Sequence, residues 1–336
     1  MTMRAMQGWQ QVVMAGALLV AAFAAPSAIS TVHAQQQKLK VVATTSMIAD
    51  AVRQVGGDRV EVSALMGAGV DPHTYRQTRS DIVAMTKADV VFWHGLYLEA
   101  QLESFFGDLA KRKKVIALAE ALPKEKLHNS AQYPGRYDPH VWMGPQLWKS
   151  VISAAHDELT KLDPEGSALF KANTDRHLAE VDTLTTYAKQ VLAKVPEKTR
   201  VLITAHDAFS YFGRAFGYEV LGIQGISTES EAGLKQVEDL VQVIVDRKIG
   251  AIFIESSVSD RNIKALIEGA AAKGHKVVIG GELFSDAMGP PGTYEGTYIG
   301  MIDHNVTVIA RALGGTAPAR GLNNQLAAAQ NVRRTD

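Results

Sequence analysis

The chain of 336 residues contains no cysteine, which excludes disulfides, thiolate metal sites and a thiol that could carry a lipid. It lacks net charge: 35 basic side chains balance 35 acidic ones, which argues against a nucleic-acid partner. It also lacks an apolar run of the roughly 20 residues needed to span a bilayer. The longest such stretch, residues 12–23, follows Arg4 and precedes Val32-His33-Ala34, a small-residue cleavage site. Residues 1–34 therefore read as a secretory signal peptide, and the mature protein is expected in a periplasm, soluble and without a lipid anchor. No G-x-G-x-x-G follows the first expected strand, which disfavours a dinucleotide-dependent dehydrogenase. There is also no His-Glu-x-x-His spacing of a zinc protease.

Beyond these absences, the chain holds a repeated tripeptide, Asp71-Pro72-His73 and Asp138-Pro139-His140. Proline fixes its own φ and holds the preceding residue extended, so each tripeptide is a stiff corner that aims an imidazole. A single such corner reads as an ordinary turn; two in one chain point to ligand binding. From Lys38 onward, short apolar runs alternate with amphipathic stretches. Strands are expected at 39–44, 60–65, 90–93 and 114–117, with helices at 46–55, 79–88, 97–111 and 145–162. Residues 166–194 lack internal Gly and Pro and carry Leu169, Phe170, Leu178, Val181, Leu184 and Ala188 at helical spacing. This predicts a rod of about 43 Å, the alternative being two helices kinked near Thr174. A second series follows, with strands at 200–205, 218–223, 251–256 and 276–280 and helices at 207–216, 233–248, 260–273 and 296–313. The expected fold class is α/β, with two similar lobes, each a mainly parallel sheet flanked by helices, joined by one long helix. The divisions are 35–165 for the first lobe, 166–195 for the linking helix, 196–315 for the second lobe and 316–336 for a loosely ordered tail.

In open α/β sheets ligands gather beyond the carboxyl ends of strands. Four metal-capable side chains fall there: His73, His140, His206 and Asp286, two from each lobe. His206 and Asp286 could each be no more than a helix-cap neighbour. His94 ends a strand and is a candidate supporting group. His128, His156, His177, His275 and His304 read as loop, turn or helix residues. Asp71, Asp138 and Asp207 adjoin the first three candidates and could orient their imidazoles.

These stretches resemble the zinc and manganese solute-binding proteins of ABC importers, the TroA-like and ZnuA-like cluster, over essentially the whole mature chain. The resemblance rests on residues 69–75, 138–143, 205–209, 226–233, 253–257, 280–289 and 295–298. It implies one zinc or manganese ion in the inter-lobe cleft, held by His73, His140, His206 and Asp286. It also implies a membrane permease and a cytoplasmic ATPase as partners, with the binding protein itself a monomer and not an enzyme. Two departures bear on the metal. Residues 120–137 contain only His128, where the zinc branch often has a His-rich loop, and His206 stands where the manganese branch commonly has glutamate. A nitrogen-rich site favours zinc over manganese in intrinsic affinity. The rival readings are a zinc-dependent hydrolase built on three histidines, with Glu255 or Glu282 as general base, and a metal-dependent adhesin or chaperone on the same fold.

Overall fold

The computed structural model describes residues 38–130 and 132–327, so the expected signal peptide lies outside the described residues. No helix among the described residues is long and apolar enough to cross a membrane. The first half builds β1 (Leu39–Ala43), α1 (Ser46–Gly56), β2 (Val60–Ala64), α2 (Arg79–Lys87), β3 (Val90–Trp93), α3 (Glu103–Ala110) and β4 (Lys114–Ala117). Its strands form one parallel sheet in the order β2-β1-β3-β4, with Leu39 opposite Val60 and Val41 opposite Val90. The Val and Ile content of these strands suits burial on both faces. Thr45 caps α1 by accepting the Ile48 N–H. Thr78 and Asp81 form a reciprocal capping box on α2.

The helix expected at 97–111 begins late, at Glu103. The reason is backbone geometry: Gly95, Leu96 and Tyr97 have φ of 86°, 54° and 70°, so the chain is left-handed there and cannot yet wind a right-handed helix.

Next come α4 (Pro145–Leu162), with Pro145 in its first turn, and α5 (Ser167–Leu192). At 26 residues α5 is about 39 Å long. The hydroxyls of Thr174 and Thr185 bond the carbonyls of Phe170 and Val181 inside the same helix, and it continues through both. Its buried face, including Phe170, Val181, Leu184 and Ala188, joins a core that also takes Val41 and Trp148 from the first half and Phe253, Tyr298 and Met301 from the second.

The second half contains β5 (Val201–His206), α6 (Ser210–Phe216), β6 (Glu219–Gln224), α7 (Leu234–Asp246), β7 (Ala251–Glu255), α8 (Arg261–Ala272), β8 (Val278–Leu283) and α9 (Tyr298–Ala312). β5 pairs with β6 and β7 with β8, all parallel, and β5 runs beside β7. The last strand lies later than expected because a bulge opposite Ile252 and Phe253 carries the pairing on to Leu283. Of the tail expected to be loosely held, 316–336, residues 328–336 lie outside the described residues, and Thr316 to Ala327 is tied down. Leu326 is buried, the Leu322 N–H donates to Asp303, and the Ala327 N–H donates to Glu295.

Candidate metal centre

Each of the four sequence-derived candidates sits past the end of a strand or on a corner between the two halves. His73 follows β2, His140 precedes α4, His206 closes β5 and Asp286 follows β8. Both Asp-Pro-His corners fold alike. Asp71 Oδ1 accepts the His73 backbone N–H at 2.9 Å, and Asp138 Oδ1 accepts that of His140 at 3.0 Å. Each Asp thus closes a turn two residues on, and proline between them removes the remaining freedom.

These turns bring one donor atom from each of the four residues within 4.8 Å of one another, and all four residues are buried. His140 Nε2 lies 3.3 Å from both His73 Nε2 and His206 Nε2. Asp286 lies 3.6, 3.4 and 3.1 Å from the Nε2 atoms of His73, His140 and His206. A tetrahedral ion with bonds of 2.0 to 2.1 Å has ligand–ligand edges of about 3.3 to 3.4 Å, so these distances are those of a four-ligand cage already drawn together.

Carboxylates fix which nitrogen faces inward. His140 Nδ1 is 2.7 Å from Asp138 Oδ1, and His206 Nδ1 is 2.6 Å from Glu255 Oε2. With Nδ1–H donated outward, each Nε2 turns its lone pair toward the same point. Lone pairs 3.3 Å apart repel unless a cation, either a proton or a metal ion, lies between them. The two Asp286 oxygens, buried and without an aligned hydrogen-bond donor, have the same need.

Protonation follows this geometry. Burial would lower the His140 pKa, but Asp138 and Asp286 outweigh it and raise it to about 9. Burial opposes charge on His206 as well, yet Glu255 and Asp286 raise its pKa well above the usual histidine value. Burial would raise Asp286; His206 and His140 instead hold it well below the ordinary carboxylate range. His73, with burial dominant, falls to about 3 and stays neutral.

Asp207, expected to orient His206, instead accepts from Ser210. That role falls to Glu255, which accepts both the His206 N–H at 2.8 Å and Nδ1. Both Glu255 oxygens are thus bonded to His206, and Glu282 is exposed on β8. His94 is buried behind the second corner, its Nε2 2.7 Å from the Pro139 carbonyl oxygen and its ring edge-on to Trp142. His128 stacks on Tyr211, His156 meets Asp157, His177 meets Glu180, and His275 and His304 bond backbone carbonyls, all outside the cage. The Trp142 indole donates to the Ser285 carbonyl at 2.8 Å, and Tyr298 donates to the Trp142 carbonyl at 2.8 Å. The His140 corner and the Asp286 loop are thereby bonded directly to each other.

A family model described as "Zinc-uptake complex component A periplasmic" matches residues 41–312. The chain belongs to this family. Within the zinc-uptake component A family it is 45% identical over 278 residues to the manganese-binding lipoprotein MntA of Bacillus subtilis, covering 82% of this chain and 90% of that protein. To the zinc-binding protein TroA of Treponema pallidum it is 42% identical over 273 residues, covering 81% and 88%. The solved structure of the periplasmic zinc-binding protein TroA from Treponema pallidum superposes with a TM-score of 0.80 at 42% identity, covering 82% of this chain and 99% of that one. The Fe(III)-bound YtgA of Chlamydia trachomatis gives a TM-score of 0.75 at 26% identity over 83% and 99%.

Proposed function

We propose that this protein is the extracytoplasmic substrate-binding component of an ABC-type importer of a divalent transition metal. In this reading one zinc or manganese ion is held by His73, His140, His206 and Asp286 and delivered to a membrane permease driven by a cytoplasmic ATPase. The observation that carries it is the buried cage, in which three imidazole nitrogens and an otherwise unpartnered carboxylate meet at tetrahedral spacing. The metal is cargo, and no reaction is assigned to it. Four protein donors close the coordination position that a hydrolytic zinc keeps for water, and Glu255 has both oxygens bonded to His206. Family membership points the same way, to transport and not catalysis.

The nitrogen-rich donor set favours zinc over manganese on intrinsic affinity, while relatives bear names of both kinds. The relatives MntA and YtgA are named for manganese and Fe(III), so all three ions belong in a binding test. The finer placement, free in the periplasm after cleavage before Gln35, rests on the apolar stretch 12–23 and on the absence of any cysteine to carry a lipid.

Equilibrium dialysis of purified protein against zinc, manganese and iron tests the reading. One ion per chain is expected, with binding strongly weakened in His73→Ala, His140→Ala, His206→Ala and Asp286→Ala and retained in His156→Ala. Full binding by any of the four variants would remove that residue from the cage. Intact mass of exported protein and its partition between soluble and membrane fractions tests the finer placement.

A further inference from the structure

A surface cavity reaches the cage at His73, which among the three histidines keeps a trace of solvent exposure, 2% against 0% for the others. His73 is also the histidine whose ring is not bonded to an orienting carboxylate, its neighbour Asp71 taking the backbone N–H instead. The cavity measures about 10 Å³, room for about one water molecule, so no hydrated ion passes unless its walls move. Those walls are Tyr97, Tyr133, Arg136 and Tyr137 from the first half and Ile226 and Ser227 from the second.

The outer side of this cavity is a small stack. The Arg136 guanidinium lies 4.4 Å over the Tyr97 ring, its Nη2 is 3.5 Å from Glu103, and the Tyr97 and Tyr133 rings are 5.6 Å apart. Arg136 is exposed and the two tyrosines are half-buried. The loop that aims Tyr97 is the left-handed run from Gly95 to Tyr97, in which two residues with side chains occupy a disfavoured region. Such strain persists only where surroundings enforce it. Here Glu99 accepts the Gly95 N–H at 3.1 Å and Glu120 accepts the Leu96 N–H at 3.0 Å. The loop thereby places the Tyr97 ring in the wall of the cavity that His73 also lines. The guanidinium on that ring, partly balanced by Glu103, is the nearest positive charge that a divalent cation meets among the cavity walls.

We propose that the metal ion enters and leaves the cage over His73, and that Arg136 stacked on Tyr97 bars this portal, setting the rates of capture and release but not the affinity. The proposal rests on the metal-carrier reading. Stopped-flow mixing of full-length mature protein with Zn²⁺, and of the zinc complex with excess fluorescent chelator, measures both rates. In Arg136→Gln, which loses the cation–π stack, and in Tyr133→Ala, which loses the ring pair with Tyr97, association and release should each rise by the same factor, about two- to fivefold, with Kd unchanged. The association gain in Arg136→Gln should be larger at low ionic strength than at high. Because the chain has no other thiol, Tyr97→Cys/Tyr133→Cys joined by a short bifunctional thiol reagent should slow both rates relative to the same protein before joining. Wild-type rates in both single variants, unhindered exchange in the joined protein, or a change confined to one direction would overturn the portal. Absence of zinc binding by the wild-type protein would instead overturn the carrier reading.

Discussion

Metal capture in this cage should expel a proton that the metal-free cleft holds at neutral pH. The perturbation is pH between 6.5 and 9, and the acting groups are His140, with its pKa raised to about 9, and His206, raised well above the ordinary value. Both bind metal only when Nε2 is bare. One proton of pKa about 9 costs the metal about tenfold in apparent affinity for each pH unit below that value, or 1.36 kcal/mol per unit. At pH 7 this is about a hundredfold, near 2.7 kcal/mol, and a second proton on His206 would steepen the slope toward two. Asp286 stays ionised throughout, since His206 and His140 hold its pKa low against the effect of burial. The metal-free fold responds in the opposite sense. A raised histidine pKa contributes stability that is fully present below the unfolded value of about 6.5 and is lost as pH rises through about 9. The increment in Tm given by subsaturating metal should therefore grow from pH 6.5 to 9. Chelator competition across this range gives the slope of log Kd against pH, and calorimetry in buffers of different ionisation enthalpy counts the protons released. Unperturbed imidazoles, with a pKa of about 6.5, would instead give an affinity nearly flat above pH 7.5. A flat profile there, with no proton release, would refute the charge assignment.

Three further outcomes are expected. Glu255→Gln removes the carboxylate that orients His206; by analogy with other such partners, metal affinity should fall about 10- to 100-fold, and the pH slope should become shallower, as read by the same competition assay. Trp142→Phe leaves the buried Ser285 carbonyl without its donor, which should cost about 1 to 3 kcal/mol in denaturant unfolding of the metal-free protein and also weaken binding through the neighbouring Asp286. Zinc or manganese at a thousandfold excess over Kd should stabilise the fold by about 4 kcal/mol, visible as a rise in Tm that magnesium does not give.

The parts of the site legible in the sequence were those written locally. Each Asp-Pro-His corner declares its own turn, and the donors at 73, 140, 206 and 286 follow from where strands end. The long helix was equally open to reading, because a run without Gly or Pro and with regular apolar spacing has few alternatives. Glu255 as partner of His206 was not legible. It comes from a strand 49 residues away, and only the placement of β7 beside β5 brings the two together. Asp207, adjacent in sequence, was the natural guess, but its side chain turns to Ser210 at the start of the following helix. The late start of α3 was hidden for a related reason: Leu96 and Tyr97 carry no mark of the left-handed backbone that Glu99 and Glu120 impose on their loop. The bulge that moves β8 on to Leu283 is likewise a property of the pairing and not of the strand.

The sealing of the cage decides which ions can compete for it. With four protein donors converging and the residues around them buried, an ion must give up its whole hydration shell to be held. Magnesium dehydrates reluctantly and is ordinarily bound with several of its waters retained; a site that admits none imposes on it the full cost of stripping, while offering imidazoles that a hard cation values little. Selection against magnesium therefore comes from the water it will not surrender, before any fine match of radius or geometry is asked of the four side chains.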